Sequence, residues 1–172
     1  TNGLEKAVGS CFSKNNLAIE CLIEIKKRHF QILDELLIQK NHPVFTDTAF
    51  EFEKLEETLR STSSGNYDYE YDRIVSFGEI ISSLIVSNYL NYVGLRNRLF
   101  DVRELLKTDN RYREAKVNWQ STDVHIREAI DAFFSETATK HEGQGIAITQ
   151  GFIGSSAEMC TTTLGREGSD YT

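Results

Sequence analysis

From Ile74 to Leu95 the chain reads IVSFGEIISSLIVSNYLNYVGL, twenty-two residues with one acid, Glu79, and no base. At 100° per residue, Ile74, Phe77, Ile81, Leu84 and Ile85 share one helical face and Val75, Ser82, Val86, Tyr89 and Val93 another. Both faces ask for burial, so the spacing predicts a helix lodged in a core between layers. Glu79 falls on the second face, one turn from Val75 and Ser82. An unpaired buried carboxylate is costly, so it must meet a cation or a hydrogen-bond donor, or carry a raised pKa. Two readings stay open: a structural ion pair, or an acceptor for a ligand's ammonium group. Ser76, Gly78, Ser82 and Ser83 keep the surface around it small enough for close approach.

With 172 residues and 40% hydrophobic content, the chain has the apolar mass for one compact core in a single domain. A net charge of -7 and a pI near 5.1 argue against a nucleic-acid partner, whose binders present a basic face. Cys11, Cys21 and Cys160 are odd in number and lack CxxC spacing, which favours reduced structural thiols in a cytoplasmic protein. No apolar run reaches the roughly 20 residues that cross a bilayer, and TNGLEKAV lacks a signal-peptide core, so no membrane partner is expected.

Periodicity predicts a helix over Leu17 to Ile38 with Asn16 as N-cap, and a second after Pro43, where Thr48 and Glu51 fit a capping box ahead of Phe52, Leu55 and Leu59. Lys26, Lys27, Arg28 and His29 read as a solvated face, because Glu20, Glu24 and Glu35 surround them. NYDYEYD, residues 66–72, reads as a loop leading into the next helix. Beyond it come a strand within residues 95–102, a second candidate strand at 116–119, a helix from Thr122 to Phe134 and a short buried strand from Ile146 to Thr149. Strands separated by helices imply parallel crossovers and an α/β fold, with ligands gathering beyond the carboxyl ends of the strands. After Ile148 lie Gly151, Gly154, Gly165 and Gly168, with Thr161, Thr162, Thr163 and Ser169 as donors suited to oxyanions. Arg166 can grip a carboxylate, and Asp170 can position a cation. There is no phosphate-binding GxxxxGK[ST] and no zinc-ligand spacing, and His125 reads as a surface or packed histidine. Taken alone, this stretch is equally consistent with a surface turn.

TQGFIG at 149–154 followed by TTTLGREGSDYT at 161–172 resembles the aspartate-binding segment of aspartokinases, in the amino-acid kinase family. RIVSFGE at 73–79 resembles the same family's second motif, TDNRYREAKVNW at 108–119 fits between them, and the opening TN is similar to the tail of its Ser-Ala-Met-Ser-Gly-x-Thr-Asn loop. Glu167 departs from the glycine commoner there. The resemblance implies a three-layer αβα sandwich with a mostly parallel central sheet, incomplete at both ends, with a helical insertion in the first third. Residues 1–172 would form the substrate-binding part of the catalytic domain, without the Lys-Phe-Gly-Gly-x-Ser strand, the nucleotide half or the ACT domains. It further implies transfer of the γ-phosphoryl of ATP, with Mg2+, to the side-chain carboxylate of L-aspartate, giving 4-aspartyl phosphate for lysine and threonine biosynthesis. In this reading Glu79 receives the ammonium, Arg166 and Ser169 hold the α-carboxylate, and Thr1 helps place the substrate. Phe152 and Gly154 shape the pocket, and Asp170 orients a catalytic lysine. The 172-residue chain alone should be inactive, and a homodimer is the assembly to test in the full-length enzyme. Two alternatives remain: another acyl-phosphate-forming kinase of this fold, and a non-catalytic helical interaction module.

Overall fold

The computed structural model describes residues 2–13, 17–37, 39, 41–62, 64–139 and 145–165. Thr1, Arg166, Ser169 and Asp170 lie outside the described residues, as do Asn16, Ile38 and Gly168. The chain is mostly helical with two small sheets, and it divides into two compact units, one up to Tyr89 and one from Leu90.

The first unit is built from α1 (Asn2–Phe12), α2 (Leu17–Leu36), α3 (Val44–Arg60) and α4 (Tyr67–Tyr92). Each helix contributes an apolar stripe at i, i+3, i+4 spacing: Leu4, Ala7 and Val8 from α1, Phe52, Leu55 and Leu59 from α3, Ile74, Ile81 and Ile85 from α4, all buried. α2 adds Ala18, Leu22 and Leu33, and Phe30 packs obliquely on both Phe45 and Phe52. Gly3 allows α1 to settle on α2, because a Cβ there would come within 2.9 Å of the Ile25 Cδ1.

Three expectations for this unit are corrected. The capping box at Thr48 does not form, because α3 starts a turn earlier at Val44, with Pro43 in the N-cap position. Proline suits a helix start, since its missing N–H would have had no helical partner, and the His42 ring nitrogen Nδ1 accepts from the Val44 N–H at 3.2 Å. Beginning there also buries Val44 on the stripe of Thr48, Phe52, Leu55 and Leu59. Residues 67–72 are helix rather than loop. Asn66 caps α4, its Oδ1 accepting from the Tyr69 N–H at 3.2 Å, and Glu70, Tyr71 and Asp72 are buried. Glu70 accepts from Arg73 at 2.7 Å and from the Ser64 N–H at 3.2 Å, which is how a carboxylate survives 1% exposure. Finally, the second face of α4 is buried only toward its start: Val75 is enclosed, whereas Val86 is 49% and Val93 48% exposed. One apolar stripe suffices to seat the helix, and singly exposed valines cost little.

The second unit contains β1 (Asn97–Phe100), α5 (Val102–Leu105), β2 (Lys107–Thr108), α6 (Trp119–Thr139), β3 (Ile146–Thr149), β4 (Ile153–Ser156) and β5 (Thr161–Thr163). β1 pairs in parallel with β3, Asn97 opposite Ile146 and Phe100 opposite Thr149. β2 pairs in parallel with β4, and β4 antiparallel with β5, giving a second sheet of order β2-β4-β5. β3 has the expected bounds but is not buried, with Ile146 39% exposed. The candidate strand at 116–119 reduces to one bridge between Val117 and Thr108. Asn118 starts α6 instead, its Oδ1 accepting from the Ser121 N–H at 3.2 Å, so the helix begins before Thr122. Phe100 and Phe133 meet edge to face at 5.6 Å, seating α6 against β1. Residues 161–163, read as a loop of hydroxyl donors, form β5, and Thr162 and Thr163 are fully buried. Among the described residues no helix is long and apolar enough to cross a membrane, and all three cysteines are free thiols.

Candidate functional site

In the first unit, Glu79 lines a cavity of about 580 Å³ whose walls come from all four helices. The start of α1 supplies Asn2 and Leu4, α2 supplies Ile25, Arg28 and His29, α3 supplies Leu55, and α4 supplies Glu79 with Ser82. On the α4 wall Gly78 and Ser82 line the cavity beside Glu79 and keep its surface small there. Ser82 Oγ donates to the Glu79 backbone carbonyl at 3.2 Å, not to the carboxylate. Among the described residues the Glu79 carboxylate accepts no hydrogen bond and joins no ion pair. Half-burial pushes its pKa above the ordinary glutamate range, and the positive charge of the chain's amino terminus offsets this only in part. Of the two readings open at the sequence level, no ion-pair partner for Glu79 is present among the described residues.

Arg28 and His29 are residues that sequence reasoning assigned to solvent, yet they share this cavity with Glu79. His29 Nδ1 lies 2.8 Å from the Ile25 carbonyl, which can only accept, so the ring hydrogen sits on Nδ1. Its ring meets Phe52 edge-on at 5.5 Å. Arg28 keeps an exposed guanidinium with no hydrogen bond or ion pair among the described residues. The signal that could have found them was the turn spacing of Ile25 to Arg28 and His29, which puts one flank of the basic run on the same side as buried Leu22.

In the second unit the structure brings Phe152 and Gly154 together at the entry to β4. Phe152 adopts φ 70, a left-handed conformation that costs a bulky residue strain. It is held there by the Leu164 N–H donating to its carbonyl at 2.9 Å, while the Ile153 N–H turns back to the Gly151 carbonyl at 2.9 Å. Gly154 is required by packing: an added Cβ would lie 2.6 Å from Leu106 Cδ2 and 2.9 Å from the Leu106 carbonyl oxygen. Beneath them a polar lattice ties the strands together. Thr108 and Thr162 share a hydroxyl hydrogen bond of 2.7 Å, and Lys107 Nζ donates to the Arg103 carbonyl at 2.9 Å and to Ser155 Oγ at 3.2 Å. Gln150, buried to 4% exposure at the end of β3, accepts from the Val102 N–H at 2.8 Å and so fixes the start of α5. Asp101 caps that helix and grips Arg103. Burial raises its pKa, but the hydrogen bonds and charge of Arg103 prevail and hold it below the usual carboxylate range. His125 Nδ1 contacts the Ser121 carbonyl at 2.7 Å, as a packed helix histidine does. Among the described residues no three His, Cys, Asp or Glu side chains converge to hold a metal.

No family model matches the chain. It is 37% identical over 101 residues to lysine-sensitive aspartokinase 3 of Escherichia coli, covering 59% of this chain and 21% of that protein. It is 31% identical over 179 residues to chloroplastic aspartokinase 1 of Arabidopsis thaliana, covering 98% of this chain and 28% of that one. Among solved structures, E. coli aspartokinase III in complex with lysine and aspartate, in its T-state, superimposes over 100% of this chain and 37% of its own, with a TM-score of 0.85 at 25% identity. The R-state of that enzyme, in complex with aspartate and ADP, gives 0.77 at 29% identity over 90% of this chain. The chain therefore spans well under half the length of the proteins it matches. Sequence along nearly its whole length, and fold along all of it, make the chain a homologue of the aspartokinases.

Proposed function

We propose that the chain forms the amino-acid-binding part of an enzyme that phosphorylates the side-chain carboxylate of L-aspartate from ATP, giving 4-aspartyl phosphate. The observation that carries this reading is Glu79: a half-buried carboxylate, unpartnered among the described residues, on the wall of a cavity of about 580 Å³. A half-buried negative charge gains from a cationic neighbour, and a ligand ammonium group is a partner of that kind. Arg166 and Ser169 take the α-carboxylate, Thr1 helps place the substrate, Phe152 and Gly154 shape the pocket, and Asp170 orients the catalytic lysine.

The acceptor carboxylate is ionised at neutral pH, so the nucleophile needs no general base. What the protein contributes is placement of that carboxylate in line with the phosphoryl group and exclusion of competing water. ATP and Mg2+ are the cofactors of the proposed reaction, and among the described residues no group of His, Cys, Asp and Glu side chains converges to hold the ion. The fold reading that goes with this function is a three-layer αβα amino-acid-kinase sandwich in a cytoplasmic enzyme at the entry to lysine and threonine synthesis, with a homodimer as its assembly.

Steady-state kinetics of the whole protein with L-aspartate and ATP varied independently tests the reading. Removing one partner of a desolvated charge pair costs about 2 to 5 kcal/mol. Glu79→Gln should therefore lower kcat/KM for aspartate by roughly 30-fold or more while KM for ATP stays put. An unchanged aspartate term would sink it.

A further inference from the structure

A second cavity, of about 460 Å³, lies between α1 and α2 and shares no wall residue with the Glu79 cavity. Lys6, Gly9 and Ser10 fall at i, i+3 and i+4 on α1, and Glu20, Cys21 and Glu24 at i, i+1 and i+4 on α2, so each trio gives one helical face to the groove. Gly9 keeps it open, because an added Cβ would meet nothing within 4 Å. Ser10 is only 8% exposed, lines the groove and has no hydrogen-bond partner among the described residues. A hydroxyl so enclosed and unsatisfied asks for a ligand atom. Lys6, Glu20 and Glu24 border the same space, and among the described residues none of them joins an ion pair. The three thiols differ in their surroundings. Cys11 Sγ donates to the Leu59 carbonyl at 3.9 Å, and burial, with the charge of Glu70 behind it, pushes its pKa up and keeps it protonated. Cys160 Sγ donates to the Glu158 carbonyl at 3.9 Å. Cys21 makes no such bond and borders the groove beside its unpartnered polar groups.

We propose that this groove binds the disulfide of a small amino-acid thiol and that Cys21 exchanges with it, becoming a site of reversible modification. The ligand's ammonium group sits on Glu20 and Glu24, which repel one another at i, i+4 until a cation joins them. Its carboxylate takes the Lys6 ammonium and the Ser10 hydroxyl. The volume falls in the range that receives small molecules, roughly 300 to 1,000 Å³. The Cys21 thiolate attacks one sulfur of the bound disulfide, a bond from Sγ to that sulfur forms as the ligand's own S–S bond breaks, and the second half leaves as a thiolate that takes up the proton Cys21 gave away. Cys21 is oxidised to a mixed disulfide and half of the ligand is reduced to a thiol, so the step needs no other oxidant.

Incubating the whole protein with cystine, and following each cysteine's mixed disulfide over time by mass spectrometry of its peptides, tests this. Cys21 should react about tenfold faster than Cys160, at a rate that saturates as cystine rises, because attack takes place within a complex. Cys160 meets the disulfide by collision, so its rate should rise linearly, and it serves as the reference within the same molecule. Dithiodiglycolate, which lacks the ammonium group, should show no preference for Cys21. Lys6→Gln should slow cystine at Cys21 without slowing cystamine, which lacks the carboxylate. Gly9→Leu, which fills the groove with carbon at a helical position, should abolish saturation at Cys21 and leave Cys160 unchanged. Equal, linear rates at Cys21 and Cys160 overturn the proposal, as does an equal preference for dithiodiglycolate and cystine, or a Lys6→Gln or a folded Gly9→Leu variant that reacts as the wild type does. Lys6 is exposed, so its variant keeps the fold, with matching circular dichroism as the check, and it decides the matter even where Gly9→Leu fails to fold.

Discussion

Thr48 shows how much a single atom can matter. Its side chain is fully buried in α3, and its hydroxyl oxygen has no hydrogen-bond partner. A buried hydroxyl left unsatisfied costs about 1 to 3 kcal/mol, whereas valine has the same shape and the same β-branched rotamer preference without the polar atom. Thr48→Val should therefore raise the denaturation midpoint, by an amount equivalent to roughly 1 kcal/mol, in a urea titration followed by circular dichroism. A lower midpoint would mean that the hydroxyl has a partner after all. The same residue shows where sequence reading stops. Thr48 followed by Glu51 satisfies the capping-box pattern, and only the burial of Val44 one turn earlier shows that the helix has already begun. Glu79, by contrast, was legible from sequence, because one acid in twenty-two residues is conspicuous wherever the helix goes. Arg28 was not, because a charge inside a run of charges carries no local sign of which flank meets a cavity.

At the level of elements, helix termini decide most of the differences. α5 is only four residues long and depends on Asp101, which caps it and binds Arg103, and on Gln150, which accepts from Val102. The Asp101 pKa is depressed in the folded chain, so its contribution is present above the unfolded aspartate value, about 3.9, and is lost as pH falls through the folded value. Asp101→Asn should accordingly be less stable than the wild type at neutral pH, and the gap should close as denaturation is measured at progressively more acidic pH. A gap constant across pH would show that the loss is one of packing. β3 was readable because IAIT, a short apolar run behind Gly145, has few other uses, and β1 because Gly94 stops the helix ahead of it. β5 was misread because TTT is as good a donor set as it is a strand, and the difference lies in Thr108, more than fifty positions away, whose hydroxyl pairs with Thr162. The start of α4 was missed because tyrosines alternating with acids mimic a loop. The buried Glu70 is intelligible only once Arg73 and the Ser64 amide are seen beside it.

Across the whole molecule, the strand pairings join distant parts of the sequence: β1 with β3, and β2 with β4. Local pattern could establish parallel crossovers but not how the strands are shared out, which is why a single sheet was expected where two small ones form. Of the seven residues expected to make the site, Glu79, Phe152 and Gly154 are described, and the latter two already have structural reasons for their identity, a strained turn and a close approach to Leu106. The two-stranded sheet has a further consequence. With β1 paired only to β3, each strand turns one flank of backbone donors and acceptors outward among the described residues, and parallel strands are seldom found without neighbours on both sides. Such flanks are templates for another polypeptide's backbone. A solution of the 172-residue chain should therefore behave colloidally as a self-adhesive particle, its light-scattering mass climbing with concentration, and a lysine in place of the exposed Ile146 on β3 should flatten that climb.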